Sequence, residues 1–193
     1  LALISKMMNL AEKWDLRPDG SNPCRHVEKY PERKLERFLS EDELNRLGAV
    51  LSEAEVTGTE TPSTVAAIRL LIFTGARTGE ILNLRWENIN FERGLILIGE
   101  HKTSRDASTA AKAIPLNAPA LEVLQGIGRR DGCDWVISGR NGNKPLVNLR
   151  KPWTRIRKAA GIEDVRLHDL RHSFASFGAG GGLGAQGSAF YRW

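Results

Sequence analysis

Apolar residues at the start of the chain recur three or four apart. Leu3, Met7, Leu10, Ala11 and Trp14 form one stripe, the pattern of an amphipathic helix over residues 1–14. No capping residue precedes it, and the chain opens on Leu rather than Met. Both features are expected of a piece whose domain begins upstream. Arg17-Pro18-Asp19-Gly20-Ser21-Asn22-Pro23 has the composition of a turn and linker. Residues 28–37 then carry Lys29, Glu32, Arg33, Lys34, Glu36 and Arg37 with no apolar stripe. A domain boundary is placed there, in a segment that is exposed or lies along a charged partner.

Ser40-Glu41-Asp42-Glu43 reads as a capping box, with Ser40 as N-cap and Glu43 three residues on. Leu44, Leu47, Val50 and Leu51 supply the stripe of the helix that follows. Residues 58–63 read as a polar loop containing Pro62. Residues 64–74 are strongly apolar (Val65, Ala66, Ile68, Leu71, Ile72, Phe73) and long enough for a buried helix. Gly75-Ala76-Arg77-Thr78-Gly79 interrupts it, and a new short helix is expected over residues 80–84.

The period changes after Trp86. Trp86, Ile89, Phe91 and then Leu95-Ile96-Leu97-Ile98 predict short strands about a turn at Glu92-Arg93-Gly94. Residues 101–111 are small and polar, consistent with a mobile hairpin loop, and residues 112–116 return as a third strand. Pro115 places that strand at a sheet edge. Helices are expected over residues 118–126, with Leu121 and Leu124 inward, over residues 148–160, with Trp153 and Ile156 inward, and over residues 167–177. The fold class is therefore α+β and mainly helical, with a small three-stranded antiparallel sheet.

Composition narrows the partners. The 193 residues carry a net charge of +5, with an isoelectric point near 9.5. A basic balance favours an anionic partner such as nucleic acid. Cys24 and Cys133 are the only cysteines, so neither a disulfide framework nor a zinc site is expected. No apolar run approaches membrane-spanning length. A cytoplasmic setting without membrane contact follows as the expectation.

Candidate chemistry gathers in two stretches. Val165-Arg166-Leu167-His168-Asp169-Leu170-Arg171-His172 puts His168, Arg171 and His172 on one helical face. Arginine grips phosphate through a planar two-donor fork, and histidine passes protons near neutral pH. Asp169 suits the first turn of that helix. Arg77 lies between Gly75 and Gly79 before a helix, with Glu80 placed to pair with it or orient it. Lys102 would tip the hairpin. Arg77, Lys102, His168 and Arg171 together would clamp a phosphodiester and handle its protons. The rival reading, zinc on His168 and His172, finds Asp169 where a glutamate is needed and no third ligand. No acidic metal cluster is evident, so no metal or other cofactor is expected.

These residues match a family. Thr74-Gly75-Ala76-Arg77-Thr78-Gly79-Glu80-Ile81, followed by Leu84-Arg85-Trp86, resembles the first signature box of tyrosine recombinases, the phage integrases. His168-Asp169-Leu170-Arg171-His172-Ser173-Phe174-Ala175 resembles their second box. The order of the boxes, the hairpin with Lys102 between them and the Phe38-Leu39-Ser40 helix start also fit. The resemblance implies a catalytic domain over residues 36–184, preceded in residues 1–35 by the last helix and linker of a core-binding domain. It implies Arg77 and Arg171 as phosphate clamps, Lys102 as the acid for the leaving 5′ hydroxyl and His168 as a general acid/base. It gives His172 no fixed role, though His172 is placed to pack or to touch DNA phosphate.

The family reaction breaks and rejoins double-stranded DNA through a 3′-phosphotyrosine, without metal. The C-terminus departs from the family pattern. Residues 178–184 are glycine-rich, the expected further helices are missing, and residues 185–193 form an atypical tail. Tyr30 and Tyr191 are the only tyrosines. Tyr30 lies in the linker, while Tyr191 is too near Arg171 and lacks the family surroundings. A truncated recombinase without its nucleophile is expected. The alternatives are a catalytically dead DNA-binding module, an inhibitory fragment, and a form that takes its tyrosine in trans. A second copy, or a full-length recombinase on the same DNA, is the protein partner implied.

Overall fold

The computed structural model describes residues 1–28, 30, 37–99, 112–140, 142 and 144–179, with residues 175–179 given as helix backbone. The chain divides into two compact units, Leu1–Leu35 and Glu36–Trp193. In the first, α1 (Ala2–Lys13) forms where the apolar spacing places it. The turn-rich segment after it folds back on the helix through one amide side chain. Asn22, only 4% exposed, donates from Nδ2 to Ser5 O and Asn9 Oδ1 and accepts from the Cys24 N–H. The apolar stripe of α1 has the expected spacing, yet Leu3, Met7 and Trp14 are exposed.

The second unit is built on α2 (Glu41–Thr57) and α3 (Pro62–Thr74). The Ser40 capping box is complete: Ser40 N–H donates to Glu43 Oε2 at 2.9 Å, and Glu43 N–H donates to Ser40 Oγ at 3.3 Å. Two such bonds satisfy donors that a helix start otherwise leaves unpaired. Leu44, Leu47 and Leu51 are buried along α2. Pro62 and Ser63, read from sequence as loop, belong to α3. Proline at the first helical position lacks an N–H that would be unpaired there in any case, and Thr61 caps the turn by accepting from Thr64 N–H.

Helix α3 is buried along nearly its whole length, from Thr64 to Thr74 with Arg69 the exception. It packs against α2, α4 (Thr78–Leu82), α5 (Ala118–Ile127) and α7 (Leu167–Ala179). A helix apolar on every side can be satisfied only by neighbours on every side, so α3 organises the unit. Helix α4 begins two residues earlier than its pattern indicates, because Glu80 is already its third residue and reaches back to the start.

A 3₁₀ turn (Trp86–Asn88) leads into β1 (Ile89–Asn90), β2 (Leu95–Ile98) and β3 (Lys112–Pro115). The strands form an antiparallel sheet in the order β1-β2-β3. Ile96 pairs with Ile89 on one side and Ile114 on the other. Ile96 and Ile114 are buried while Leu97 is 39% exposed, so one face of the sheet meets the core. Phe91, expected in a strand, stands in the turn and is exposed. Strand β3 is an edge strand, where Pro115 lacks only a ladder donor.

Basic helix α6 (Arg150–Ala159) buries Trp153 and Ile156. Trp153 Nε1 donates to Val165 O at 3.1 Å, which ties α6 to the entry of α7. Ser173 Oγ on α7 accepts from the Leu39 N–H and donates to Asp169 O, both at 2.9 Å. Among the described residues no helix is long and apolar enough to cross a membrane. Residues 101–111, with Lys102, and the tail 185–193, with Tyr191, lie outside the described residues.

Two measurements test this architecture. Leu70 is fully buried in α3, and Leu70→Ala is expected to cost about 2–5 kcal/mol in urea unfolding. A loss within ~0.5 kcal/mol, typical of surface positions, would show that α3 is not the centre of the core. Glu43 is held at a pKa of about 2, first by the Arg37 guanidinium, against the opposing effect of burial, and further by the Ser40 N–H. A depressed carboxyl pKa stabilises the fold above its ordinary value, 4.5, and that stabilisation is lost as pH falls towards 2. Glu43→Gln should therefore be less stable than the native chain at neutral pH. The gap should close on acidification, and a gap independent of pH would sink this reading.

Candidate functional site

The site starts where α3 stops. Thr74 Oγ1 donates to Leu70 O and accepts from Ala76 N–H, closing the last turn. Gly75 follows in the left-handed region at φ 60°, where any other residue is strained. The chain reverses, and Arg77 becomes the N-cap residue of α4. A Cβ on Gly75 would lie 2.4 Å from Phe174 Cδ1, so α7 approaches this turn as closely as a glycine permits.

That approach brings the two stretches together. Arg171 Nη1 donates to the carbonyl oxygen of Gly75, two residues before Arg77. Around this contact runs a groove of about 500 Å³, lined by Gly75, Ala76, Lys112, Ile114, Arg171, His172 and Phe174, among others. Arg77 stands beside it with its side chain 66% exposed. His168 is exposed and His172 half-buried. Their rings meet edge to face with centroids 4.9 Å apart, and His172 meets the Phe38 ring at 6.4 Å. A larger cavity of about 530 Å³ lies between α3 and α5 and holds none of these residues.

The carboxylates of the site are engaged in holding cations. Glu80 Oε2 accepts the Arg77 N–H at 2.8 Å, and Oε1 accepts Arg77 Nη1 at 3.1 Å. Lys112 Nζ donates to the same two oxygens at 2.7 and 2.8 Å. Burial works to raise the Glu80 pKa, but the hydrogen bonds from Lys112 and the Arg77 N–H outweigh it and hold it below the ordinary value. The sequence reading left Glu80 two tasks, pairing with Arg77 or orienting it, and both are present in one geometry.

Asp169 is fully buried. It accepts the Arg166 N–H at 2.8 Å and the Arg166 guanidinium at 2.7 Å. Burial again works to raise its pKa, and Arg166 outweighs it, holding it below the ordinary carboxylate value. Asp169 thus serves the α7 entry through Arg166, and the nearby His172 adds a smaller favourable charge.

Lys112 is the residue that sequence reasoning passed over. The signal was present, because strand alternation puts Lys112 on the same face as Ile114. Its side chain is nonetheless 39% exposed, so the alternation alone names no partner for it. The expected proton donor Lys102 and the tail Tyr191 lie outside the described residues. Tyr30 belongs to the first unit and is 93% exposed.

A sequence model of the phage integrase family matches residues 37–177. The chain belongs to the phage integrase family. Among curated proteins it is 29% identical over 150 residues to the tyrosine recombinase XerA of Pyrococcus furiosus, covering 75% of this chain and 48% of that protein. It is 28% identical over 178 residues to a putative integrase/recombinase of Haemophilus influenzae, covering 86% of this chain and 44% of that one. The chain thus spans about half the length of these curated relatives. Among solved structures, the Tn1549 transposon integrase in complex with circular intermediate DNA is similar with a TM-score of 0.65. That match covers 96% of this chain and 66% of the other at 19% identity, a likeness of fold. The family match takes in Arg77, His168 and Arg171 in one domain.

The close approach at Gly75 predicts a steric signature. Gly75→Ala should destabilise this phage integrase family chain by more than ~1 kcal/mol, from the left-handed backbone and the clash together. Phe174→Ala in the same chain should remove the clash component only. Strict additivity of the two losses in denaturant unfolding would mean that α7 does not pack on this turn.

Proposed function

We propose that the chain is the phosphate-binding part of a tyrosine recombinase site, acting on double-stranded DNA in site-specific recombination or integration. One observation carries the reading. Arg171 of the second box donates to the Gly75 carbonyl, two residues before Arg77 of the first, which supports a reading in which both guanidinium groups serve one phosphate. Two permanently charged forks there suit the non-bridging oxygens of a phosphodiester, whose charge grows as the bond breaks. His168 exchanges the proton on the attacking side, and Lys102 protonates the leaving 5′ hydroxyl. The exposed cations Arg150, Lys151 and Lys158 of α6 supply sequence-independent attraction to the duplex. Residues 1–35 are the end of a core-binding domain whose remainder would cover the exposed stripe of α1.

Cleavage in this chemistry needs a tyrosine hydroxyl that attacks phosphorus and leaves a 3′-phosphotyrosine. Tyr30 and Tyr191 are the two tyrosines of the chain, and neither lies in surroundings like those of the family nucleophile. The chain therefore binds and polarises the phosphodiester without cutting it alone. A full-length recombinase on the same DNA, supplying its tyrosine in trans, completes the reaction.

Duplex binding at several salt concentrations tests the clamp. Arg77→Ala and Arg171→Ala should each weaken binding about tenfold and lower the log–log salt slope by about one. Unchanged affinity and slope in both variants would refute the phosphate reading. On a nicked suicide duplex no covalent adduct is expected, and an adduct abolished by Tyr191→Phe would instead make Tyr191 the nucleophile.

A further inference from the structure

Lys112 has no task in the chemistry proposed above. It opens β3 with its side chain 39% exposed, and its ammonium sits on Glu80, whose side chain is 11% exposed. A carboxylate so covered needs a cation beside it. Each Glu80 oxygen is shared: Oε1 between Lys112 and the Arg77 guanidinium, Oε2 between Lys112 and the Arg77 N–H. Glu80 is also the third residue of α4 and closes that helix start from its side chain. Without Lys112 the carboxylate would be drawn towards solvent, and Arg77 would lose both its backbone and its side-chain anchor. The Arg77 side chain is 66% exposed, and its N–H and guanidinium are both anchored on Glu80.

We propose that Lys112 is a positioning residue, holding Glu80 so that Arg77 faces the DNA phosphate. The inference rests on the reading of Arg77 as a phosphate clamp. It differs from a direct contact between Lys112 and DNA, because here the lysine acts only through Glu80 and Arg77. An arginine at this position would hold the same carboxylate with two donors.

The experiment uses the whole chain and two readouts. The first is the NMR signal of the Arg77 amide followed against pH, since that amide donates to Glu80. Glu80→Gln should abolish its acid-range titration, which identifies the group. Lys112→Met should move the midpoint up by about one unit, and Lys112→Arg should restore it. The second readout is the affinity for a short DNA duplex. Lys112→Met should weaken binding about fivefold in the native background and leave Arg77→Ala unchanged, as expected of residues acting in series.

An Arg77 amide that titrates in Glu80→Gln, or whose midpoint ignores Lys112→Met, overturns the proposal. So does an equal loss of affinity in both backgrounds, which would assign Lys112 a phosphate contact of its own. If Arg77→Ala leaves affinity unchanged while the amide midpoint still follows Lys112, the clamp reading fails and the positioning of Arg77 by Lys112 stands.

Discussion

The contact between α7 and the turn at Gly75 is the constraint on which the site depends. Helix α3 is buried on nearly every side and must end inside the protein. Its last carbonyls therefore need partners from elsewhere. Asn117 supplies one: its Nδ2 donates to Phe73 O, while its Oδ1 caps α5 by accepting Ala120 N–H. Arg171 supplies another at Gly75 O. A guanidinium that serves as a helix terminator is thereby delivered to the turn that carries Arg77. Packing and chemistry share one requirement, that Phe174 and Arg171 come this close, and glycine at residue 75 meets it.

Around that turn the acidic residues work in one way. Glu80, Asp169 and Glu43 are each held ionised below their ordinary range by a neighbouring cation and by a backbone N–H at a helix start. All three occupy the third position of their helix, where a carboxylate can reach back to the cap. They set the direction of α4, α7 and α2, and the arginines and histidines are carried on those helices. This division leaves the groove cationic although the domain is well supplied with carboxylates. It also explains why the site survives without a buried unpaired charge.

Much of this was legible along the chain because it is local. The Ser40–Glu43 box, the strongly apolar run of α3 and the alternation of β2 report interactions within a few residues. His168, Arg171 and His172 stood out because their spacing puts them on one helical face, and Arg77 because it lies between two glycines before a helix. Features that depend on distance did not show. Pro62 reads as a loop residue until Thr61 is seen to cap α3, and Phe91 reads as strand until the two-residue β1 turns before it. Lys112 reads as an ordinary edge lysine, since its partner Glu80 lies 32 residues earlier.

The order of residues was enough to specify which stretches form helices, the capped start of α2, the presence of three short strands and the family to which the chain belongs, because each rests on local periodicity, capping or a contiguous box. It was not enough to say which cation meets which carboxylate, or that α7 presses on Gly75 closely enough to exclude a single methyl group. Those are properties of surfaces brought together from sequence separations of about 30 to 100 residues. Such contacts form only once the apolar faces of α3, α5 and α7 have packed, and the packing, not the pattern, settles where each polar group finds its partner.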